Sequence, residues 1–166
     1  MELIKIVGGL LIIVSGTFIG IYASERLKEK VSFFEQYIIF LTRVRTTVSY
    51  TSADIKELLT VNTSVPLVRP VLRDTLILLE RGISLEEAWR GAVDIHVNDK
   101  EDKKLICYFG DNFGRSDVSG ELNKLDLHCE FVKQRLDLLR EELKTKQRLY
   151  RVIGMFCGVL TAVILI

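Results

Sequence analysis

Two charge-free ends bracket this chain and limit its folds more than any motif inside it. Residues 6–24, IVGGLLIIVSGTFIGIYAS, and residues 152–166, VIGMFCGVLTAVILI, contain no Asp, Glu, Lys or Arg. The first is close to the ~20 apolar residues that cross the hydrocarbon of a bilayer. A cleavable signal peptide would have an apolar core of about 7 to 15 residues and a small-residue cleavage site, and no such site precedes Glu25. The second stretch offers about 22 Å of helix at 1.5 Å per residue. Leu149 and Tyr150 extend it, and Arg151 can reach the interface with its charge. The sequence thus predicts an N-terminal transmembrane helix over 1–24, a charged domain over 25–151 and a C-terminal transmembrane helix over 152–166. Basic residues mark the cytoplasmic ends of membrane helices. Arg26, Lys28 and Lys30 follow the first stretch, and Lys144, Lys146, Arg148 and Arg151 precede the second. Both clusters place the middle domain in the cytoplasm.

The 166 residues carry a net charge of only +1, which argues against a nucleic-acid binder that works by neutralising phosphates. Cys107, Cys129 and Cys157 share no C-x-x-C spacing, and His96 and His128 lie far apart. Inert thiols in a reducing compartment fit better than disulfides or a zinc site. Asn62-Thr63-Ser64 matches a glycosylation acceptor by spacing, but on the expected cytoplasmic side it carries no weight.

Helical punctuation fills the middle and leaves little room for a sheet. Leu27, Val31, Phe34, Ile38, Leu41 and Val48 recur at steps of three, four and seven, with Arg45 in the open slot, and neither Pro nor Gly interrupts residues 23–50. The first membrane helix is therefore expected to continue as one rod to about Thr51. Ser52 is the expected cap of a short helix ending near Val61. VNTSVP reads as a loop, and Pro66 or Pro70 suits the first turn of a third helix, which Gly82 ends. Ser84-Leu85-Glu86-Glu87 is a capping box for a fourth. A fifth spans Lys100 to Phe113. Val118, Leu122, Leu125, Cys129, Val132, Leu136, Leu139 and Leu143 then step by four and three, a heptad seam. This last helix is expected to run from about Asp117 into the second membrane stretch, with ~50 Å of it outside the bilayer. The fold class is all-α: a cytoplasmic bundle of about six helices, the first and last long and continuous with the terminal transmembrane helices. Pairing of the two seams within one chain is the favoured arrangement; a homo-oligomer, pairing between two copies, is the alternative.

No P-loop, G-x-S-x-G, HExxH or EF-hand pattern is present, so neither catalytic nor cofactor or metal residues are assigned. Ser116, Asp117 and His128 do not form a triad, because about 18 Å of helix rise separates serine from histidine. His128 is expected to be a half-buried packing or surface residue. Arg45 either reaches solvent, the favoured reading, or forms an ion pair with an acid on the last helix. The G-x-x-x-G at Gly16 to Gly20 permits close approach of a second membrane helix. In GRSDVSGELNKL, Gly114 is expected to end the fifth helix, Ser116 to cap the sixth, and Asp117 to place negative charge in the helix-dipole field, so a phosphate site is not expected there. Residues 85–130 hold 11 acids against 6 bases. They suggest an acidic end far from the membrane that attracts a basic partner, with Glu86, Glu87, Asp102, Asp117 and Glu121 as candidate contacts.

Phe109-Gly110, Phe113-Gly114-Arg115-Ser116-Asp117, the later Glu121, the charged run KTKQRLYR and the short apolar tail resemble the stage III sporulation AB family of endospore-forming bacteria over nearly the whole length. That family commonly has Leu-Gly-x-Ser-Asp where this chain has Phe113 in place of the leucine. The family in turn is similar to the cytoplasmic domain of type II secretion system protein F, but this chain has one such domain with an apolar stretch at each end. The resemblance implies a non-enzymatic platform in the membrane of the mother cell around the forespore. It would be part of the channel-like complex joining the two compartments and would contact that complex's cytoplasmic ATPase and other membrane subunits. The other class considered is a membrane signalling module that transmits a conformational change through paired helices.

Overall fold

A computed structural model describes the backbone of residues 2–50 and 54–165, and side-chain surroundings for 25–50, 54–149 and 152–153. The described residues form six α-helices and one short 3-10 turn, without a strand: α1 Glu2–Tyr50, α2 Ile55–Val61, α3 Arg69–Glu80, α4 Leu85–His96, α5 Lys100–Asn112 and α6 Val118–Leu165. The all-helical expectation holds, and α1 and α6 are each one uninterrupted helix, as the lack of internal breakers predicts. Among the described residues no helix is long and apolar enough to cross a membrane. The two transmembrane assignments, and the Gly16–Gly20 motif, fall on side chains outside the described set.

Local signals set most helix ends. After α3 the chain turns at Gly82, whose φ is +83°. There the Gly82 N–H donates to the Leu79 carbonyl at 3.1 Å and the Ile83 N–H to the Leu78 carbonyl at 3.2 Å, a Schellman closure that needs a left-handed residue. Ser84 caps α4 by accepting from the Glu87 N–H at 3.3 Å. Asp99 caps α5, accepting from the N–H groups of Glu101 and Asp102. One alternative is resolved and one expectation corrected. Pro70 sits in the first turn of α3, whereas Pro66 lies in the preceding turn. The residue capping α2 is Asp54, which makes no side-chain cap bond, and Ser52 lies outside the described residues. VNTSVP includes the 3-10 turn Asn62–Ser64. Asn62 itself is buried, its Nδ2 donating to the Leu58 carbonyl at 2.8 Å.

Tertiary contacts divide the chain into two units, Ser32–Leu136 and Met1–Val31 with Asp137–Ile166. In Ser32–Leu136, α3 packs on α4 and α4 on α5. The core is aromatic: Phe40 stacks on Trp89 with centroids 5.8 Å apart, Phe109 meets Phe40 at 5.3 Å and Trp89 at 4.8 Å, and Phe113 stacks on Phe109. Full burial of each such side chain contributes roughly 1.5–3 kcal/mol. Gly110 makes this packing possible. A Cβ there would lie 2.7 to 2.9 Å from three atoms of Trp89, so only glycine lets α5 approach α4 this closely. The buried stripe of α1 is wider than the predicted one. Tyr37, Phe40 and Val44 are fully buried beside Phe34 and Leu41, while Ile38 is only partly covered. In the other unit, Leu27, Val31 and Leu139 are buried.

Candidate functional site

The α5–α6 junction is built from its backbone outward. Gly114, at φ +79°, turns the chain out of α5. The N-cap of α6 is Asp117, whose Oδ1 accepts from the Gly120 N–H at 3.2 Å; this corrects the assignment of Ser116. The backbone N–H of Ser116 instead donates to Oε1 of Glu121 at 2.9 Å, and the Arg115 N–H donates to the same oxygen at 3.1 Å. Glu121 is buried, so an acid one turn into α6 folds back to hold the preceding loop. Outside this loop, Arg115 pairs with Glu86 of α4. Arg90 joins Glu86 at 3.5 Å and Asp111 of α5 at 2.9 Å. An exposed chain of alternating charges thus ties α4, α5 and the loop together.

Two further polar contacts continue the pattern along α6. His128 Nε2 lies 2.8 Å from the Leu105 carbonyl and must donate to it, because a carbonyl oxygen only accepts. Arg135 Nε donates to Asp102 Oδ1 at 2.8 Å, with Glu101 at 3.7 Å and Asp99 at 3.9 Å. Glu121, His128 and Arg135 are spaced seven residues apart, and they meet the loop after α5, the middle of α5 and its start in turn. The two helices therefore run antiparallel, pinned at three levels by one heptad row of polar side chains. This row lies beside the apolar seam. That seam is itself corrected at its head: Val118 is exposed and Leu122 half-buried, whereas Leu125, Cys129, Val132, Leu136 and Leu139 are buried.

The five candidate contacts have different places. Asp102 is buried against Arg135, and Glu121 is buried on the loop amides. Glu86 is engaged by two arginines, Asp117 is an exposed cap, and Glu87 is exposed on the first turn of α4. Two of the five, Asp102 and Glu121, are thus buried in contacts within the chain. Buried carboxylates require partners, and the sequence pattern did not separate paired acids from solvated ones. Arg45 does find an acid on the last helix: it makes two bonds to Asp126, one of them 3.1 Å long, in a setting that also reaches solvent.

Burial favours the neutral forms of His128, Cys107, Cys129 and Tyr37. Burial depresses the His128 pKa to about 4, against a smaller opposing effect of its bond to Leu105. The ring lies between Tyr37 and Tyr108, buried rather than half-exposed as expected. Burial raises the Cys107 and Cys129 thiols and pushes the Tyr37 hydroxyl well above its ordinary range. A crevice beside His128, lined by Tyr108, Asn112, Phe113 and Lys124, holds about 10 Å³, roughly the space of one water. Among the described residues no group of three or more His, Cys, Asp or Glu is placed to hold a metal ion.

The fold defines an all-helical protein whose polar side chains lock neighbouring helices together. The chain belongs to the stage III sporulation protein AB family, whose model matches residues 5–166. Membership carries a role in stage III of sporulation. No curated protein matches the chain, and no solved structure does.

Proposed function

We propose that this chain is a non-enzymatic, membrane-anchored platform of the stage III sporulation machinery. Its two apolar ends would span the membrane of the mother cell around the forespore, and its bundle would stand in the cytoplasm to dock the complex's ATPase. The observation that supports this most is the continuity of α1 and α6, each a single helix from the bundle into a charge-free end. Two uninterrupted helices of this kind suit a part that transmits position. On this reading the docking surface draws on two acids that remain exposed, Glu87 and Asp117. The full chain in lipid vesicles is expected to bind the complex's ATPase at low salt, and the charge reversal Glu87→Lys is expected to weaken binding without altering the bundle. Absence of binding by the well-folded wild-type chain overturns the docking model.

A further inference from the structure

We propose that the side of α1 next to the 3-10 turn Asn62–Ser64 is a docking surface for a carboxylate-bearing peptide segment of a partner protein. Four arginines of Ser32–Leu136, namely Arg45, Arg90, Arg115 and Arg135, each hold a carboxylate of the chain. Arg43 and Arg69 bond to neutral oxygens instead. Arg43 Nη1 donates to the Ser64 hydroxyl oxygen at 2.7 Å, and Arg69 Nε donates to the Thr63 carbonyl at 2.7 Å. Exposed Arg73 follows one turn further along α3. Among the described residues no acid pairs with any of these three. Two guanidinium groups are thus brought to adjacent residues of one turn without a balancing negative charge, and each keeps N–H donors to spare.

Apolar side chains adjoin these charges. The Gln36 Oε1 accepts from the Leu67 N–H at 2.7 Å, so residues 64–67 are tied to α1 at Gln36 and at Arg43. Ile39 lies between the two ties, because steps of three and four keep Gln36, Ile39 and Arg43 on one side of the helix. Ile39 and Leu67 are 46% and 41% exposed, and Pro66 beside Leu67 is exposed as well. Charge complementarity selects the occupant. A guanidinium fork matches a carboxylate in two parallel bonds, and the chain itself uses that geometry where Arg45 makes two bonds to Asp126. A partner segment with acids on either side of an apolar residue meets the arginines and covers Ile39 and Leu67. An anionic membrane surface fits less well, since such surfaces are held by clusters of about 4 to 8 Lys or Arg. The surface draws on other elements than Glu87 of α4 and Asp117 ahead of α6, carries the opposite sign, and does not depend on the platform reading.

The test uses the full chain in nanodiscs of neutral lipid and a pool of short fluorescein-labelled peptides, each with two glutamates and two leucines at varied spacings. The tightest peptide is expected to lose about tenfold or more in affinity when its glutamates become glutamine, and as much when the chain carries Arg43→Gln with Arg69→Gln. Leu67→Ser is expected to weaken binding, whereas Arg81→Gln, at the other end of α3, leaves it unchanged. Arg69→Glu is expected to shift the preference to a peptide with lysine in place of one glutamate. The peptide substitutions need no variant of the chain, so a folding defect cannot imitate their effect. Absence of any peptide that prefers glutamate to glutamine, or equal affinity of the wild type and the double variant, overturns the proposal. A peptide that binds only with phosphoserine in place of glutamate overturns the choice of carboxylate. Binding to phosphatidylglycerol vesicles that the double variant loses, with no peptide bound, assigns the surface to lipid and overturns the proposal as well.

Discussion

Tyr37 of α1 and Trp89 of α4 share one acceptor, the carbonyl oxygen of Ile106 in α5: the indole N–H donates at 2.9 Å and the phenol O–H at 3.3 Å. Three helices thus meet at a single buried oxygen. Trp89→Phe is expected to cost about 1–3 kcal/mol through the lost bond and the smaller ring, and Tyr37→Phe about 1 kcal/mol or less. Chemical denaturation followed by circular dichroism checks the order; equal effects would mean that the carbonyl does not discriminate between its donors.

Gly110 and Gly91 make a matched pair. At Gly110 an added Cβ meets Trp89 at 2.7 Å, whereas at Gly91 its nearest neighbour is Leu78 at 3.6 Å, an ordinary contact. Gly110→Ala is expected to destabilise by about 1–3 kcal/mol through overpacking, while Gly91→Ala gains up to about 1 kcal/mol of helix propensity. Melting temperatures moving in opposite directions bear this out. A stabilising Gly110→Ala would show that α4 and α5 do not approach this closely.

His128 makes stability depend on pH. Its folded pKa, about 4, lies below the ordinary 6.5, so between these values the unfolded chain binds a proton that the folded chain refuses. The histidine's contribution is complete above about pH 6.5 and falls away as the pH drops toward 4, by about 3 kcal/mol in all. Denaturation midpoints across that range are expected to slope for the wild type, and His128→Gln to flatten its share of the slope. An identical slope in the variant removes His128 as the source.

Glu121 tests the junction. Glu121→Ala leaves the Arg115 and Ser116 amides without their acceptor and is expected to cost about 1–3 kcal/mol, whereas Glu121→Gln keeps a carbonyl in place and costs less. Hydrogen exchange at those two amides gives a local readout. Unchanged protection in Glu121→Ala would mean that other groups hold the loop.

The apolar seam carries a harsher test. Leu125 and Val132 are 3% and 0% exposed, so replacing both with Asp buries unpaired charge and is expected to abolish the cooperative unfolding transition. A retained wild-type melting curve would contradict the burial of this seam.

Much of this fold is legible because helix ends are local chemistry. Gly82 and Gly114 adopt the left-handed backbone, and Ser84 sits one residue ahead of α4, each where the sequence pattern predicts it. Lateral packing is less legible. Tyr37, Phe40 and Val44 lie off the narrow 3–4 stripe, yet they are buried because α1 is covered on more than one side. Val118 fits the heptad but lies on the first turn of α6, where no neighbour covers it. The row of Glu121, His128 and Arg135 was missed because polar residues beside an apolar seam resemble a solvated flank. Their shared spacing of seven was the available signal, since a solvated flank has no reason to repeat a glutamate, a histidine and an arginine in register with a neighbouring helix. Acid–base pairing across helices, such as Asp102 with Arg135, leaves no trace in spacing along one chain.

The platform account depends on which side of the membrane the bundle occupies. The full chain carrying Lys104→Cys, with its native cysteines replaced, can be produced in a non-sporulating cell that offers a single membrane. The account predicts that the chain floats with that membrane and that an impermeant thiol reagent labels position 104 only after permeabilisation. Ready labelling in intact cells, or a chain that stays behind in the soluble fraction, would contradict it.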